Sequence, residues 1–598
     1  MKRLLVTLRD LFPLLPVEAR RFLAGFSIAS AALALLDVVA LGLLALAIGP
    51  LAQGDPVNLP LVGTVPEDRL WMVIAAVCVL IILKGVLAVA LQWAATRRFA
   101  AYELAIGDRL FDSYIRAPWT ERLKRNSAEL VRLADVGIAN TVAGVLLPAA
   151  MLPTEIATFV SVLAVLVVAE PVTAALTLVY LGLIGAFLYL WVSKKALVAG
   201  RVNRDYSFRV ATLITEMVGA LKEITLRNKA EEVAGIVRRN RQHSTRARAN
   251  LQFLNAVPKF VVESAIVGGF VLVGLTAYFT GGIAGAFSAI AIFAVAAFRM
   301  VPSVTRFQGI ITQTSANIPN AQAVIIDARA AQQYRANAER IGTEPLDTEP
   351  RTLQLDDVAF TYPGGNRPAV RDISLTIPIG SSVGLVGESG AGKSTLVDLL
   401  LGLLVPTHGS ITLDGKPLER VLAQWRSRVG YVPQDVALFD GTIAQNVALT
   451  WEDEYDVDRV RAALDRAQLL TTVEQRPGGL DARVGERGMA LSGGQRQRLG
   501  IARALYAEPL VLVMDEATSA LDTTTEDAVS RAIRELHGDV TVISVAHRLS
   551  TIRYSDQVCF LKDGTIAGRG TFAELLATVP DFAVQAALAG LADEPDRA

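Results

Sequence analysis

The chain is 598 residues long and contains 52% hydrophobic and 19% charged residues, with 58 Lys and Arg balanced by 58 Asp and Glu. This length requires more than one domain, the zero net charge gives no overall attraction to nucleic acid, and two cysteines exclude a disulfide framework. Soluble proteins carry about 25% charged residues. The lower charged fraction and the mean hydropathy of +0.41 indicate a membrane protein without a nucleic-acid partner.

The apolar residues are concentrated in six stretches of the first half. A membrane-spanning helix needs about 20 mostly apolar residues, and each stretch has them. The stretches are 22–51, 70–96, 143–169, 171–193, 256–280 and 284–306. The sequence therefore predicts an all-α membrane domain with six spans over residues 1–334.

Basic residues predict the orientation of these spans. Lys and Arg are frequent between spans two and three and between spans four and five, whereas the alternate loops contain a single basic residue, Arg69. By the positive-inside rule both long segments and both chain ends face the cytoplasm, which predicts a multi-pass protein of the cytoplasmic (inner) membrane. Apolar residues at helical spacing, such as Leu104, Phe111 and Tyr114, predict helical hairpins that continue past the membrane.

The second half has a different character. Residues 335–352 are rich in Pro, Asp and Glu and are predicted to form a linker. Residues 353–585 alternate short β-rich runs with helical periods, which predicts an α/β domain, and 586–598 are predicted to be a solvated tail.

A phosphate-binding loop is predicted at residues 383–395, which read VGLVGESGAGKST. An apolar strand is followed by Gly387, four residues and then Gly392-Lys393-Ser394. Glycines allow backbone N–H groups to surround phosphate oxygens, and the following helix N-terminus favours negative charge. Lys393 can reach the β- and γ-phosphates and the Ser394 hydroxyl can ligate Mg²⁺. The domain is thus predicted to be a P-loop ATPase.

Two further motifs fit the same chemistry. The apolar run 510–516, LVLVMDE, ends in Asp515 and Glu516, which suit a metal-orienting acid and a general base for water. Residues 491–495, LSGGQ, place two glycines at a predicted helix start and make a second anion site. A second phosphate site is expected to serve another copy of the domain.

These motifs resemble the ATP-binding cassette (ABC) transporters, and the whole chain resembles a half-size exporter. By that resemblance Tyr362 would stack on adenine, Gln434 would lie near Mg²⁺, and His547 would contact the γ-phosphate. Asp515 and Glu516 match the Walker B pair, and Asp522 ends the D-loop. The tips near 117–125 and 211–222 would be coupling helices. The nucleotide-binding set would comprise Tyr362, Gly387, Glu388, Ser389, Gly390, Ala391, Gly392, Lys393, Ser394, Thr395, Gln434, Ser492, Gly493, Gly494, Gln495, Asp522 and His547.

Roles within this set also follow from the resemblance. Glu516, His547 and Gln434 would be catalytic, and Ser394, Gln434 and Asp515 would hold Mg²⁺. Each ATP would lie between the P-loop of one chain and the signature motif Ser492–Gln495 of another. Because every motif is intact, the resemblance favours a homodimer.

Charged residues within the spans indicate the substrate. Lys84, Lys259 and Arg299 lie at inner-leaflet depth on three spans, which predicts a cavity for an anionic group such as a lipid phosphate. The alternative is a structural role, in which lysines reach the interface and Lys259 pairs with Glu263. Residues 298–303, FRMVPS, resemble the bacterial lipid-linked oligosaccharide flippases. The sequence therefore favours ATP-driven export or flipping of a lipid-linked or amphipathic substrate. A peptide or multidrug exporter is the alternative, and an importer on the exporter fold also remains open.

Overall fold

The structure is a computed structural model, and it describes the chain except residues 1, 54–56, 60–62, 66–69, 124–132, 170, 339–340, 347–349, 518–522, 547 and 592–598. The chain divides into two compact units. The first comprises Met1–Ala117 and Arg125–Arg335, and the second comprises Pro118–Lys124 and Ala336–Ala598.

The first unit is helical. Its helices are α1 (Lys2–Leu11), α2 (Val17–Gln53), α3 (Leu70–Ile115), α5 (Leu147–Ala169), α6 (Pro171–Gly219), α7 (Leu221–Leu226) and α8 (Ala230–Ala338), while α4 (Trp119–Leu123) belongs to the second unit. Leu133–Leu146 is a short α-helical turn between two π-helical turns. A two-strand hairpin, β1 (Val57–Leu59) with β2 (Gly63–Val65), lies in the loop before α3 and was not predicted from the sequence.

Six helical segments within the described residues are long and apolar enough to cross a membrane, as predicted. They are Val17–Leu36, Ile74–Ile115, Asp135–Val167, Pro171–Gly219, Ala230–Phe279 and Gly285–Tyr334. The last two are parts of α8, which changes direction at Gly282, where φ is 66° and glycine carries no steric penalty. Several spans extend well beyond the roughly 20 residues that a bilayer requires, as the helical spacing in 97–116 predicted.

The core of the first unit joins α1 to the spans. Leu11, Phe99, Val145 and Ile325, from four different segments, belong to one buried cluster. Side chains on the outer faces of the spans, such as Val89 and Phe279, stay exposed, which suits helices that are solvated by lipid.

Within its described residues, the second unit contains two sheets. Strands β4 (Val370–Pro378), β3 (Thr352–Phe360), β6 (His408–Leu413) and β7 (Lys416–Pro417) form an antiparallel sheet in this order. The other sheet has the order β12 (Thr565–Gly570), β11 (Gln557–Lys562), β5 (Ser382–Gly387), β10 (Thr541–Val545), β9 (Val511–Asp515) and β8 (Val429–Val432). Its strands are parallel except β12, which pairs antiparallel with β11.

The described part of the second unit also contains ten α-helices besides α4. They are α9 (Lys393–Leu400), α10 (Leu422–Ser427), α11 (Ile443–Ala448), α12 (Val457–Arg466), α13 (Leu470–Glu474), α14 (Gly493–Tyr506), α15 (Thr523–Arg534), α16 (Leu549–Ile552), α17 (Phe572–Thr578) and α18 (Pro580–Leu588). The strands β5, β9 and β10 are buried along nearly their whole length, which explains their continuous apolar sequence. Two main clusters form the core, one around α9 and the antiparallel sheet and one around α11, α12 and α14.

The segment predicted as a linker contributes to both units. Helix α8 continues to Ala338, and Ile341 and Leu346 pack against the core of the second unit. The backbone N–H of Gly342 also donates to the carbonyl of Glu419 at 3.2 Å. The described part of 335–352 is therefore packed rather than free.

Candidate functional site

Several of the predicted nucleotide-site residues lie at one edge of the parallel sheet. Strands β8, β9, β10 and β5 run in the same direction, so their carboxyl ends lie side by side. Gln434, Asp515, Ala546 and Gly387 stand at or just after these four ends. In open α/β sheets this edge is where ligands bind.

The loop from Gly387 to Gly392 is shaped for phosphate. Gly390 and Gly392 have φ of 82° and 97°, a conformation that side chains disfavour. The Lys393 ammonium donates hydrogen bonds to the carbonyls of Gly387 at 2.7 Å and Glu388 at 2.9 Å, so it lies across the loop. Burial lowers the pKa of Lys393, and the carboxylates of Glu516 and Asp515 oppose this shift.

The remaining residues of the predicted phosphate site lie in and next to this loop. Ser389 and Ala391 lie between the glycines, and Ser394 and Thr395 lie in the first turn of α9. Tyr362, which follows β3, shares a hydrogen bond of 3.2 Å with the Thr395 hydroxyl and packs edge-on against Phe360. The structure thus places Tyr362 next to the phosphate loop.

The two acids at the end of β9 have separate partners. Tyr431 donates its hydroxyl to Asp515 Oδ2 at 3.5 Å, and burial followed by the charge of Asp515 raises the pKa of Tyr431 to about 12. Gln434 Nε2 donates to Glu516 Oε2 at 2.6 Å. Tyr431 was not predicted as a site residue, although it precedes Gln434 by three residues on the same strand end.

Glu516 is held in an unusual backbone conformation. Its φ is 53°, which is uncommon for a residue other than glycine, and its N–H donates to the Val545 carbonyl at 3.1 Å. Gln497 Nε2 donates to the Glu516 carbonyl at 3.2 Å. Gln497, on α14, was also missed by sequence reasoning, and it connects the signature helix to the Walker B strand. Strain of this kind persists where the surroundings fix it, and it clusters at functional sites.

The signature motif forms the start of α14. The hydroxyl of Ser492 accepts from the Gln495 N–H at 3.3 Å, and the Gln495 side chain accepts from the Ser492 N–H at 3.0 Å. This capping box leaves the N–H groups of Gly493 and Gly494 without intrahelical partners. The residue before Ser492 belongs to the core cluster around α14. The P-loop helix α9 belongs to the other core cluster.

Some predicted residues lie outside the described part of the chain. Asp522 and His547, which were predicted to contact nucleotide, both lie there. His547 directly follows Ala546, whose N–H donates to the Leu385 carbonyl at 3.2 Å at the same sheet edge.

The donor set fits a magnesium ion. The Ser394 hydroxyl, the Asp515 carboxylate and the Gln434 side-chain oxygen are hard oxygen ligands, and Gln434 uses its nitrogen to bond Glu516. The described residues contain no cluster of three His, Cys, Asp or Glu side chains that could hold a metal by itself. Mg²⁺ commonly relies on substrate phosphates and water for its remaining ligands, so such a site needs nucleotide.

Helix α4 lies against the ATP-site helix of the second unit. Trp119 packs on the core cluster that contains α9, and its side chain hydrogen-bonds Asp398 of that helix. Burial raises the pKa of Asp398 to about 6, the hydrogen bond from Trp119 opposes the shift, and the charge of Asp515 adds to it. Asp398 lies five residues after Lys393, so α4 contacts the element that bears the phosphate loop.

A pH dependence of stability follows. The unfolded pKa of Asp is about 3.9, so between about pH 4 and pH 6 the folded protein binds this proton more tightly and stability falls as the pH rises. Asp398→Asn keeps an acceptor for Trp119 but removes the charge. We expect its melting temperature in detergent to exceed that of the wild type by about 2–4 °C above pH 7, with the gain shrinking towards pH 4. Asp465→Asn, at an exposed position of α12, should show no such trend. A constant difference across pH would contradict this assignment.

The first unit contains a cavity among its spans. Its volume is about 740 Å³, and its lining includes Lys84, Thr154, Glu155, Phe298, Ser303 and Arg306. Glu155 is 8% exposed, its Oε1 lies 3.7 Å from Arg306 Nη1, and its carbonyl accepts from the Ser303 hydroxyl at 2.8 Å. Lys84 interacts electrostatically with Glu155. Charges at this depth are costly and mark functional sites by default.

The predicted cavity cations are distributed differently. Lys84 lines the cavity, whereas Lys259 is not part of its lining and lies 4.0 Å from Glu263 and 6.0 Å from the Phe260 ring centroid. The Arg299 side chain lies outside the described part of the structure. Arg306, three residues after Ser303, also lines the cavity and was missed by sequence reasoning.

The chain thus combines a helical unit that has six candidate membrane spans with an α/β unit that carries a P-loop and a second predicted anion-binding motif. Residues 370–519 match the family model described as ABC transporter. These residues all belong to the second unit and include the P-loop and the Asp515–Glu516 pair. A bacterial Atm1-family ABC exporter with ATP bound has the same fold, with a TM-score of 0.74 over 97% of this chain and 99% of that chain at 23% identity.

Curated relatives match about two fifths of the chain. The ATP-dependent lipid A-core flippase of Salmonella typhimurium is 44% identical over 237 residues, which are 40% of this chain and 41% of that protein. The ATP-dependent lipid A-core flippases of Vibrio parahaemolyticus and Escherichia coli K12 are 45% and 42% identical over 226 and 236 residues. The chain therefore covers about two fifths of the length of these relatives.

Proposed function

We propose that two copies of this chain form a multi-pass exporter of the cytoplasmic membrane, which uses ATP hydrolysis to flip an anionic lipid-linked or amphipathic substrate. The observation that carries the ATPase part is the meeting of Lys393, Asp515, Glu516 and Gln434 at one sheet edge. The lipid A-core flippase names of the curated relatives support the choice of substrate class.

Each side chain at this edge has a distinct part in hydrolysis. Lys393 and the loop N–H groups would bind the β- and γ-phosphates, as a preorganised positive site that stabilises the charge of the transition state. Mg²⁺ held by Ser394, Asp515 and Gln434 would neutralise phosphate charge. Glu516 would accept a proton from the attacking water, and Gln434 and Gln497 fix its orientation.

A second copy would complete the site. The N–H groups of Gly493 and Gly494 point out from the start of α14 and have no partner within that helix. A phosphate bound to the P-loop of one chain would supply the charge that this helix end favours. Intact motifs on each chain favour a homodimer with two equivalent sites.

The cavity around Lys84 supports an anionic substrate. Among the described lining residues, Arg306 and Lys84 supply two positive charges and Glu155 supplies one carboxylate, so this lining is net positive and suits a substrate phosphate. Most of the remaining lining residues, including Phe26, Phe270 and Met151, are apolar and suit an acyl chain or another hydrophobic group. Arg299 belongs to this proposal through its sequence position beside Phe298.

The substrate proposal is tested by neutralising the cavity cations. We expect Lys84→Gln and Arg299→Gln to keep folding and basal ATPase while lowering lipid stimulation and headgroup translocation in proteoliposomes by about tenfold or more. Lys259→Gln is the matched control, because Lys259 is paired with Glu263 outside the cavity lining. A panel of lipid-linked glycans, peptides and drugs in nanodiscs identifies the class. Stimulation by peptides or drugs alone, or loss of protein stability with unchanged stimulation, would overturn the proposal.

A further inference from the structure

A second hollow in the first unit, here called the basic groove, lies between α6 and α8. Its volume is about 910 Å³, and it shares no lining residue with the cavity around Lys84. Below the groove, Leu188 and Val192 of α6 pack against Leu254 and Val262 of α8. The two helices thus form its floor.

The charged side chains that line the basic groove are all positive. Lys194, Lys195 and Arg246 line it together with His243, and no Asp or Glu does. None of these three cations has an ion-pair partner within the part of the chain that the structure describes. By comparison, Lys259 and Arg306 on α8 each have a carboxylate within 4.0 Å.

The groove has an apolar end as well. Phe187, Trp191 and Phe253 line it and are 63%, 39% and 62% exposed. Aromatic side chains of this kind, Trp above all, are enriched where the acyl region meets the headgroups. The groove therefore offers apolar walls on one side and uncompensated positive charge on the other.

The positions of the aromatic and basic residues along α6 give their depth in the membrane. With a rise of 1.5 Å per residue from Pro171, Phe187 lies about 24 Å and Lys194 about 35 Å along the helix. The hydrocarbon core is about 30 Å thick, so the aromatic end lies in the inner leaflet and the lysines in its headgroup layer. Lys and Arg in the loop after α6 put this end on the cytoplasmic side.

We propose that the basic groove binds one anionic phospholipid of the cytoplasmic leaflet, with its phosphate between Lys194, Lys195 and Arg246 and an acyl chain along the aromatic end. The site is distinct from both the ATP site and the cavity around Lys84. It goes beyond the proposed function and requires only that the spans lie in a membrane. Lipid bound there would join α6 to α8.

Charge and depth favour a lipid over other occupants. A soluble anion would leave Phe187, Trp191 and Phe253 uncovered, and a second copy packed symmetrically would bring one positive groove against another. A phosphate on an acyl chain satisfies both ends of the groove at once. Basic pockets between spans on the cytoplasmic side are the general form of such sites.

The first experiment measures lipid binding to the full-length protein by native mass spectrometry, after delipidation and without nucleotide. We expect the triple variant Lys194→Gln, Lys195→Gln and Arg246→Gln to raise the Kd of the tightest phosphatidylglycerol about tenfold or more. The control variant Arg238→Gln, Arg239→Gln and Arg248→Gln removes the same charge from exposed positions of α8 outside the groove, and should change this Kd less than about twofold. Equal weakening by both variants, equal binding of phosphatidylcholine, or displacement by inorganic phosphate would overturn the proposal.

A second measurement does not depend on the folding of the triple variant. In vesicles that contain brominated lipids, the bromine atoms quench the fluorescence of nearby tryptophans. The part of this quenching that disappears in Trp191→Phe reports lipid beside Trp191. We expect this component to be quenched more strongly by brominated phosphatidylglycerol than by brominated phosphatidylcholine. Equal quenching by the two lipids, or none by either because protein covers the groove, would contradict the proposal. Neither experiment uses ATP, so its outcome is separate from tests of the proposed transport function.

Discussion

Replacing Glu516 with Gln is expected to lower ATP turnover by about 10²–10⁴-fold, because the attacking water loses its general base. The glutamine is nearly isosteric, so it still fits the strained position at φ 53° between Gln434 and the Val545 carbonyl. ATP binding is therefore expected to persist, and the nucleotide-bound dimer should accumulate. Steady-state hydrolysis and nucleotide affinity of the purified protein measure the two effects separately.

The matched control is Glu508→Gln. Glu508 is also a glutamate with positive φ, at 49°, but it lies on the surface and faces Arg459 at 3.6 Å. Its hydrolysis rate should stay close to that of the wild type. Turnover of Glu516→Gln within about threefold of wild type would show that Glu516 is not the base.

The second large effect concerns assembly of the site from two chains. Lys393→Ala removes the phosphate-loop ammonium, and Ser492→Arg blocks the start of α14. Each variant alone is expected to be inactive, and Lys393→Ala should also bind nucleotide more weakly. When the two are mixed, the heterodimer combines the intact P-loop of one chain with the intact signature motif of the other, while its second site carries both lesions.

Mixed dimers should therefore regain activity from one site per heterodimer, and random mixing makes about half of the dimers heterodimers. Co-expression with two different affinity tags allows their isolation, and ATPase is measured on this fraction. The control is a doubly tagged dimer in which both chains carry Lys393→Ala. If the doubly tagged mixture is as inactive as its parents, each site is built within a single chain.

Much of this architecture follows from local sequence. Six apolar stretches, each the length that a bilayer demands, predicted the six candidate spans, because a helix in lipid must be apolar along its whole length. The P-loop was equally local: a buried strand, glycines that permit positive φ, and Lys393 at the start of α9 are consecutive in the chain. Ser492 and Gln495 likewise form a cap from residues three positions apart.

Contacts between distant residues depended on the tertiary structure. Gln434 and Glu516 meet because the order of the parallel strands places the carboxyl ends of β8 and β9 side by side, and Gln497 reaches Glu516 from a separate helix. In the membrane unit, helix depth placed Lys84, Lys259 and Arg299 at one level but left their directions around each helix open. Packing of α3, α5 and α8 decided that Lys84 shares a cavity with Glu155 and Arg306, whereas Lys259 pairs with Glu263. Composition along a helix determines whether it enters the membrane, but the rotation of each helix, and therefore its partners, is decided by side-chain packing between helices.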